Sequence, residues 1–258
     1  MNTKNILKDI HCHLVCGISD GPPDQAASCA MLDQAAAAGV TYINAVAHFG
    51  DYADQLMQTV DALRPEAEKR GIVLHAGFEY DYSDILEDRI GDDWQSLRTI
   101  GDQSNYLLVD FNTSHIPFSA RQRFTEIAKA GLGVVIVHPE TIFGIGEINK
   151  LSELKSVNAV VQINASNLLP DSNPRVRHAA FTFLRKGLVD LVASDAHRHE
   201  GGRRNCLAEA RAVIAKKFGE GAARVLFEVN PARILENKLP YDAEIPGRTL
   251  LEKILHRD

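Results

Sequence analysis

An α/β barrel of about seven strands is the fold this 258-residue sequence predicts, on three observations. First, one phrase recurs: an Ala- and charge-rich stretch of helical character, a glycine, then a β-branched run. It appears as AAAAG before VTYINAVA at Gly39, EKRG before IVLHAGFEY at Gly71, IAKAG before LGVVIVHP at Gly131, and FLRKG before LVDLVASDAH at Gly187. A glycine past a helix end takes the left-handed conformation at little cost, and each following run is short enough for a buried parallel strand. Second, residues able to bind metals or move protons close at least five different predicted strands. An open sheet would spread those ends along a line, whereas a closed barrel gathers strand C-termini around one mouth. Third, single α/β barrels commonly have this length.

The predicted strands, in order, are Ile6 to His11, Val40 to Ala47, Ile72 to Glu79, Asn105 to Phe111, Gly133 to His138, Ala159 to Asn164, and Val189 to Asp195. Helices fill most of the gaps. Pro22 and Pro23 suit the first turn of a helix over Ala26 to Ala38. Its Ala-rich face either seats a second copy, making a homo-oligomer, or faces the barrel. Ser119 with Gln122 reads as a capping box before Phe124, Ile127 and Ala128 at helical spacing, and Gly131 ends that helix. No linker or composition break divides residues 1–258, so one domain is expected, with the tail after Leu239 packed on the outside.

A net charge of −6 and the absence of a basic stripe interleaved with aromatics argue against nucleic acid and anionic membranes as partners. The opening MNTKNILKDIHCH has too short an apolar run for a signal peptide, and no stretch reaches the ~20 apolar residues of a membrane span. Cys12, Cys16, Cys29 and Cys206 lack disulfide-scaffold spacing, so a cytoplasmic protein with reduced thiols is expected.

His11, His13, His48, His138 and His197 are five of the ten histidines, and each follows an apolar run by zero to two residues. Glu79, Asp110 and Asp195 end such runs as well. A buried carboxylate needs a cation, a donor or water, and helix N-capping is the plain alternative for Asp110 and Asp195. Successive strand side chains alternate faces, so His11 and His13 point the same way, as do Asp195 and His197. Nitrogen and oxygen ligands without thiolate suit zinc, iron or manganese, and two or more such ions suit phosphoester hydrolysis. A cysteine phosphatase loop, Cys followed by Arg six positions on, is excluded: the four cysteines lead to Ile18, Pro22, Ala35 and Ala212.

DIHCHLVCGISDGP, VAHF, GFEY, VDFN, VIVHPE, VQINASNLL, LVASDAHRHEGGR and LFEVNPARIL occur in that order over residues 9 to about 237. Together they resemble the PHP (polymerase and histidinol phosphatase) superfamily, in its branch of manganese-dependent bacterial protein-tyrosine phosphatases of capsular polysaccharide synthesis, the CpsB/YwqE type. The resemblance implies a distorted seven-stranded, TIM-like (β/α)7 barrel with three divalent ions at the strand C-termini, manganese first, with zinc or iron as alternatives. It implies one ion on His11, His13, Glu79 and Asp195, a second on Glu79, Asp110 and His138, and a third on Asp20, His48 and His197. Three positions depart from the branch: Asp110 stands for glutamate, Thr141 for the arginine after His-Pro-Glu, and Arg203-Arg204-Asn205 for Arg-Pro-Pro.

Arg203 is the candidate for holding phosphate, with Arg204 beside it, since guanidinium offers paired donors to phosphate oxygens. The expected chemistry is hydrolysis of a phosphomonoester by a water that ions bridged by Glu79 bring toward neutral pKa, with Asp195 and Arg203 completing the catalytic set. The expected substrate is a phosphotyrosyl protein. The alternatives are a small phosphomonoester of the histidinol phosphate kind and a barrel that binds metal without turnover.

Overall fold

The computed structural model describes residues 6–50, 52–83 and 94–245. Seven strands, β1 (Leu7–Cys12), β2 (Val40–His48), β3 (Val73–Asp81), β4 (Tyr106–Asp110), β5 (Gly133–Val137), β6 (Val160–Asn164) and β7 (Leu191–Ala193), form one sheet in sequential order. Every neighbouring pair is parallel. The recurring glycines behave as expected: Gly39, Gly71, Gly131 and Gly187 have φ of 87°, 71°, 86° and 69°. Each releases the chain from a helix into the next strand.

Side-chain alternation gives the sheet two faces. The outer face, with Ile43, Leu74, Leu107, Val109, Ile136, Val161 and Val192, is buried against Met31, Leu32, Leu56, Val60, Phe124, Ile127, Phe183 and Leu184 of the helices. Full burial of such a side chain contributes about 1.5–3 kcal/mol. The inner face packs Val46, Tyr106, Leu108, Val135, Val137, Val160 and Leu191 together. Further along the same inner rows the residues become polar: Asp110 beyond Leu108, and Gln162 then Asn164 beyond Val160. The barrel is thus filled with hydrocarbon at its N-terminal half and lined with polar groups at its C-terminal mouth.

Between β7 and β1 the ladder is replaced by a seam. Asp195 N–H donates to His11 O at 2.9 Å and His13 N–H to Ala196 O at 2.8 Å, forming a short bridge at Cys12 and Ala196. Below it the Asp9 carboxylate spans the gap, accepting from Ser194 N–H at 3.0 Å and from Asn205 Nδ2 at 3.2 Å.

Several local expectations are corrected. The helix Gln25–Ala38 begins one residue early and is capped by Asp24, which accepts from Ala27 N–H at 2.8 Å, so Pro22 and Pro23 lie outside its first turn. Its Met31, Leu32 and Ala35 are buried, which puts one face on the barrel. Ser119 precedes the helix Ala120–Lys129 in helical conformation and makes no side-chain cap; its hydroxyl pairs with Tyr82 Oη at 3.2 Å, while Gln122 turns to Glu126. The last strand has three residues where seven were expected, and at its C-terminal end Asp195 at φ 50° leaves the sheet. Ala243 and Ile245 in the tail are buried.

Candidate metal centre

The strands deliver the nine expected donors to one mouth. His11 lies in β1 and His13 just past it, β2 ends on His48, β3 carries Glu79, β4 ends on Asp110, and His138 follows β5. Asp195 and His197 follow β7, and Asp20 lies in the segment after β1. Three residues that leave strands, Asn112, His138 and Asp195, have φ of 44°, 34° and 50°. Positive φ in a non-glycine residue costs on the order of 1–3 kcal/mol and concentrates where function requires a particular aim. Here it turns the chain sharply where the donors converge.

Glu79 is the centre of the cluster and is 1% exposed. Its Oε2 lies 3.1 Å from His13 Nε2, 3.3 Å from His11 Nε2 and 3.7 Å from His48 Nε2. Its Oε1 faces His138 Nε2 at 3.1 Å. Asp195 Oδ1 approaches His11 Nε2 at 3.4 Å and His13 Nε2 at 3.6 Å. To one side, Asp20 Oδ2 sits 3.1 Å from His48 Nε2 and 3.0 Å from His197 Nε2.

Charge is distributed unevenly. Burial acts to raise Glu79 and Asp195, yet the surrounding imidazoles, His11 first, hold both carboxyls below their ordinary values. Asp20 lies well below the carboxylate range, since hydrogen bonds from His197 and His48 outweigh its partial burial. The hydrogen bond to Asp20 pushes His48 up to about 9. His138 rises to about 10, its burial overcome by Glu79, Asp195 and Asp110. Burial pulls His13 down to about 4 and pushes Asp110 up.

The donor set fits divalent cations. His11 Nε2 and His13 Nε2 face each other at 3.1 Å with two carboxylates beside them. Two neutral imidazoles presenting those nitrogens as lone pairs cannot bond one another, and a cation between them would satisfy both. Among the described residues, four triplets place ligand atoms within 4.8 Å of one another: His11, His13 and Glu79; His11, His138 and Asp195; Glu79, Asp110 and His138; and His13, Asp20 and His197. His48 joins the last through Asp20, so His13 stands between two groups that the resemblance kept apart.

The arginines separate. Arg203 is half exposed and donates to Asp20 Oδ1 at 3.0 Å, with its other terminal nitrogen against His197 Nε2. Arg204 pairs with Glu209 at 2.7 Å and is not brought into the cluster. Thr141 accepts from Asn167 Nδ2 at 3.0 Å. Sequence reasoning assigned no role to Asp9, Glu140, Gln162, Asn164 and Asn205, all of them buried. For Gln162 and Asn164 the available signal was an amide inside an apolar run, because a buried polar group must find a partner; Glu140 and Asn205 lie outside such runs.

A seven-stranded TIM-like barrel with imidazoles and carboxylates crowded at its mouth defines the class: an α/β barrel whose mouth carries groups of candidate metal ligands. The sequence pattern described as "Capsular polysaccharide synthesis, CpsB/CapC" matches residues 7–236, and the chain belongs to that family. It is 30% identical to tyrosine-protein phosphatase YwqE of Bacillus subtilis over 239 residues, covering 89% of this chain and 92% of that protein. It is 28% identical to tyrosine-protein phosphatase CpsB of Streptococcus agalactiae over 245 residues, covering 89% and 98%. A chain from the crystal structures of YwqE from Bacillus subtilis and CpsB from Streptococcus pneumoniae, described there as metal-dependent tyrosine phosphatases, superimposes with a TM-score of 0.81 at 25% identity, covering 93% of this chain and 98% of that one. An organophosphorus hydrolase variant shares the fold alone, with a TM-score of 0.54 at 13% identity.

Proposed function

We propose that this chain is a metal-dependent phosphomonoester hydrolase acting on phosphotyrosine in proteins of capsular or exopolysaccharide synthesis. One observation carries the reading: Glu79 turns one oxygen to His11 and His13 and the other to His138, the disposition a bridging carboxylate needs. The relatives' names supply the substrate class. His11, His13, Glu79 and Asp195 would hold one ion, Glu79, Asp110 and His138 a second, and Asp20, His48 and His197 a third, with manganese the first choice. Such ions lower the pKa of water and neutralise phosphate oxygens.

The chain's own residues do the rest. Glu79 and Asp195, kept ionised by the imidazoles around them, hold negative charge at the base of the mouth. Arg203, exposed beside Asp20 and His197, orients the phosphate with paired donors. Arg204, held by Glu209, serves the fold of its loop. The four free thiols are consistent with a cytoplasmic setting.

Thr141 supports a second reading, since a neutral hydroxyl bonded to Asn167 stands where the resembled branch has a cation. A small phosphomonoester then becomes the competing substrate. The test is turnover of p-nitrophenyl phosphate, phosphotyrosyl peptides and histidinol phosphate with manganese and after chelation. Expected are metal-dependent activity highest on the peptides, a loss of at least about 100-fold in His138→Ala and Asp195→Ala with folding kept, and a raised KM in Arg203→Ala. Metal-loaded protein inert on every phosphoester would sink the proposal, and preference for histidinol phosphate would favour the second reading.

A further inference from the structure

Strand β6 reads Val-Val-Gln-Ile-Asn and is buried along its length, yet two of its inner-face side chains are amides. Gln162 is 0% exposed and Asn164 6%. Buried amides need partners for both ends, so the direction of every bond they make is constrained. Asp195 provides the fixed end, because an ionised carboxylate can only accept. Asn164 Nδ2 donates to Asp195 Oδ2 at 2.6 Å. That leaves Asn164 Oδ1 as acceptor, and Gln162 Nε2 donates to it at 2.8 Å. Gln162 Oε1 is then the end that faces His11 Nδ1, at 2.9 Å.

An amide oxygen only accepts, so His11 Nδ1 must carry a proton. In the neutral ring Nε2 is therefore bare, and it is Nε2 that faces His13, Glu79 and Asp195 at 3.1, 3.3 and 3.4 Å. Reversing either amide fails, since it sets oxygen against oxygen or nitrogen against a donor. Glu140 Oε1 steadies the strand end, accepting from Asn164 N–H and from Asn167 Nδ2, each at 2.8 Å.

We propose that Gln162 and Asn164 are positioning residues: a directional amide relay, set by Asp195, that fixes the tautomer and aim of His11. Its use rests on the metal-dependent reading above, while its content rests on hydrogen-bond direction. Partners that orient a ligating imidazole typically alter metal affinity 10- to 100-fold when removed.

The test combines ¹⁵N imidazole NMR with chelator competition for manganese and zinc, on wild type, Gln162→Leu and Gln162→Glu, with circular dichroism to verify folding. Expected are an Nδ1–H, Nε2-bare His11 in wild type, observed in the zinc-loaded protein and in the metal-free protein at alkaline pH. Gln162→Glu should keep that tautomer because it keeps an acceptor against Nδ1, while its second oxygen, set against Asn164 Oδ1, breaks the link to Asp195. Gln162→Leu should lose it and weaken metal binding about 10- to 100-fold. A His11 protonated at Nε2 in wild type, or a folded Gln162→Leu with wild-type spectrum and affinity, overturns the relay. Should Gln162→Leu not fold, the wild-type and Gln162→Glu spectra still decide. Wild-type protein that takes up no metal would instead defeat the phosphatase reading, and the metal-free spectrum would still judge the relay.

Discussion

Glu79 sets the electrostatics of the mouth, since every imidazole it faces must either carry a proton or meet a cation. In the metal-free protein His48 and His138 sit at about 9 and about 10, above the ordinary imidazole value. Groups raised in this way stabilise the folded chain fully below the unfolded pKa of about 6.5, and that contribution is lost as pH climbs through the folded values. Ligation needs the neutral ring, so protons and metal compete in the same window. Apparent manganese affinity is therefore expected to increase from about pH 6 to about pH 8, with proton release on binding; calorimetry in buffers of different ionisation enthalpy measures both, and affinity flat across that range would refute it. Glu79 and Asp195 act with the opposite sign: held low, they stabilise above the unfolded carboxylate value and lose that contribution on acidification. Eight of the nine donors were legible as residues because acids and imidazoles at the ends of apolar runs are conspicuous, whereas Asp20 followed only from the resemblance. Gln162, Asn164 and Asp9 were not, because a single buried amide or acid in a run does not say which distant group it meets.

At the level of elements, the seven strands were legible because β-branched runs after a glycine signal buried parallel strands, and all seven fall within two residues of expectation at their N-terminal ends. Helix starts were less so. Ser119 and Gln122 have the spacing of a capping box, but Tyr82, one residue past the end of β3, takes the serine hydroxyl. Asp24 caps the helix, and Pro22 and Pro23, expected in its first turn, precede the cap. The two sites should respond differently to alanine. Asp24→Ala is expected to cost about 1 kcal/mol in urea unfolding, the usual value of an N-cap bond, whereas Ser119→Ala should stay within about 0.5 kcal/mol because its helix loses no cap. Equal costs would contradict the assignment. Another constraint hidden from sequence is the close approach of β2 and β3, where a Cβ on Gly77 would come within 2.8 Å of the Asn44 amide.

At the scale of the whole molecule, the seam between β7 and β1 is the weak closure of the barrel, held by a short bridge and the Asp9 carboxylate rather than by a ladder. The donors flank it, with His11 and His13 on one side and Asp195 and His197 on the other. Ions bound across the seam would bind the folded chain alone, which stabilises it by about 2.7 kcal/mol at a hundredfold excess over Kd. Thermal unfolding is expected to shift upward with added manganese and downward on chelation, and a melting temperature indifferent to both would exclude ions from the seam. The same seam orders events during synthesis. The first strand emerges from the ribosome with two imidazoles and must wait for residues near 197 before its partners exist, so the centre can be completed only after nearly the whole barrel has been translated. A chain stalled earlier offers a metal only fragments of the final cage, and the capacity to load an ion becomes a late checkpoint on finished folding.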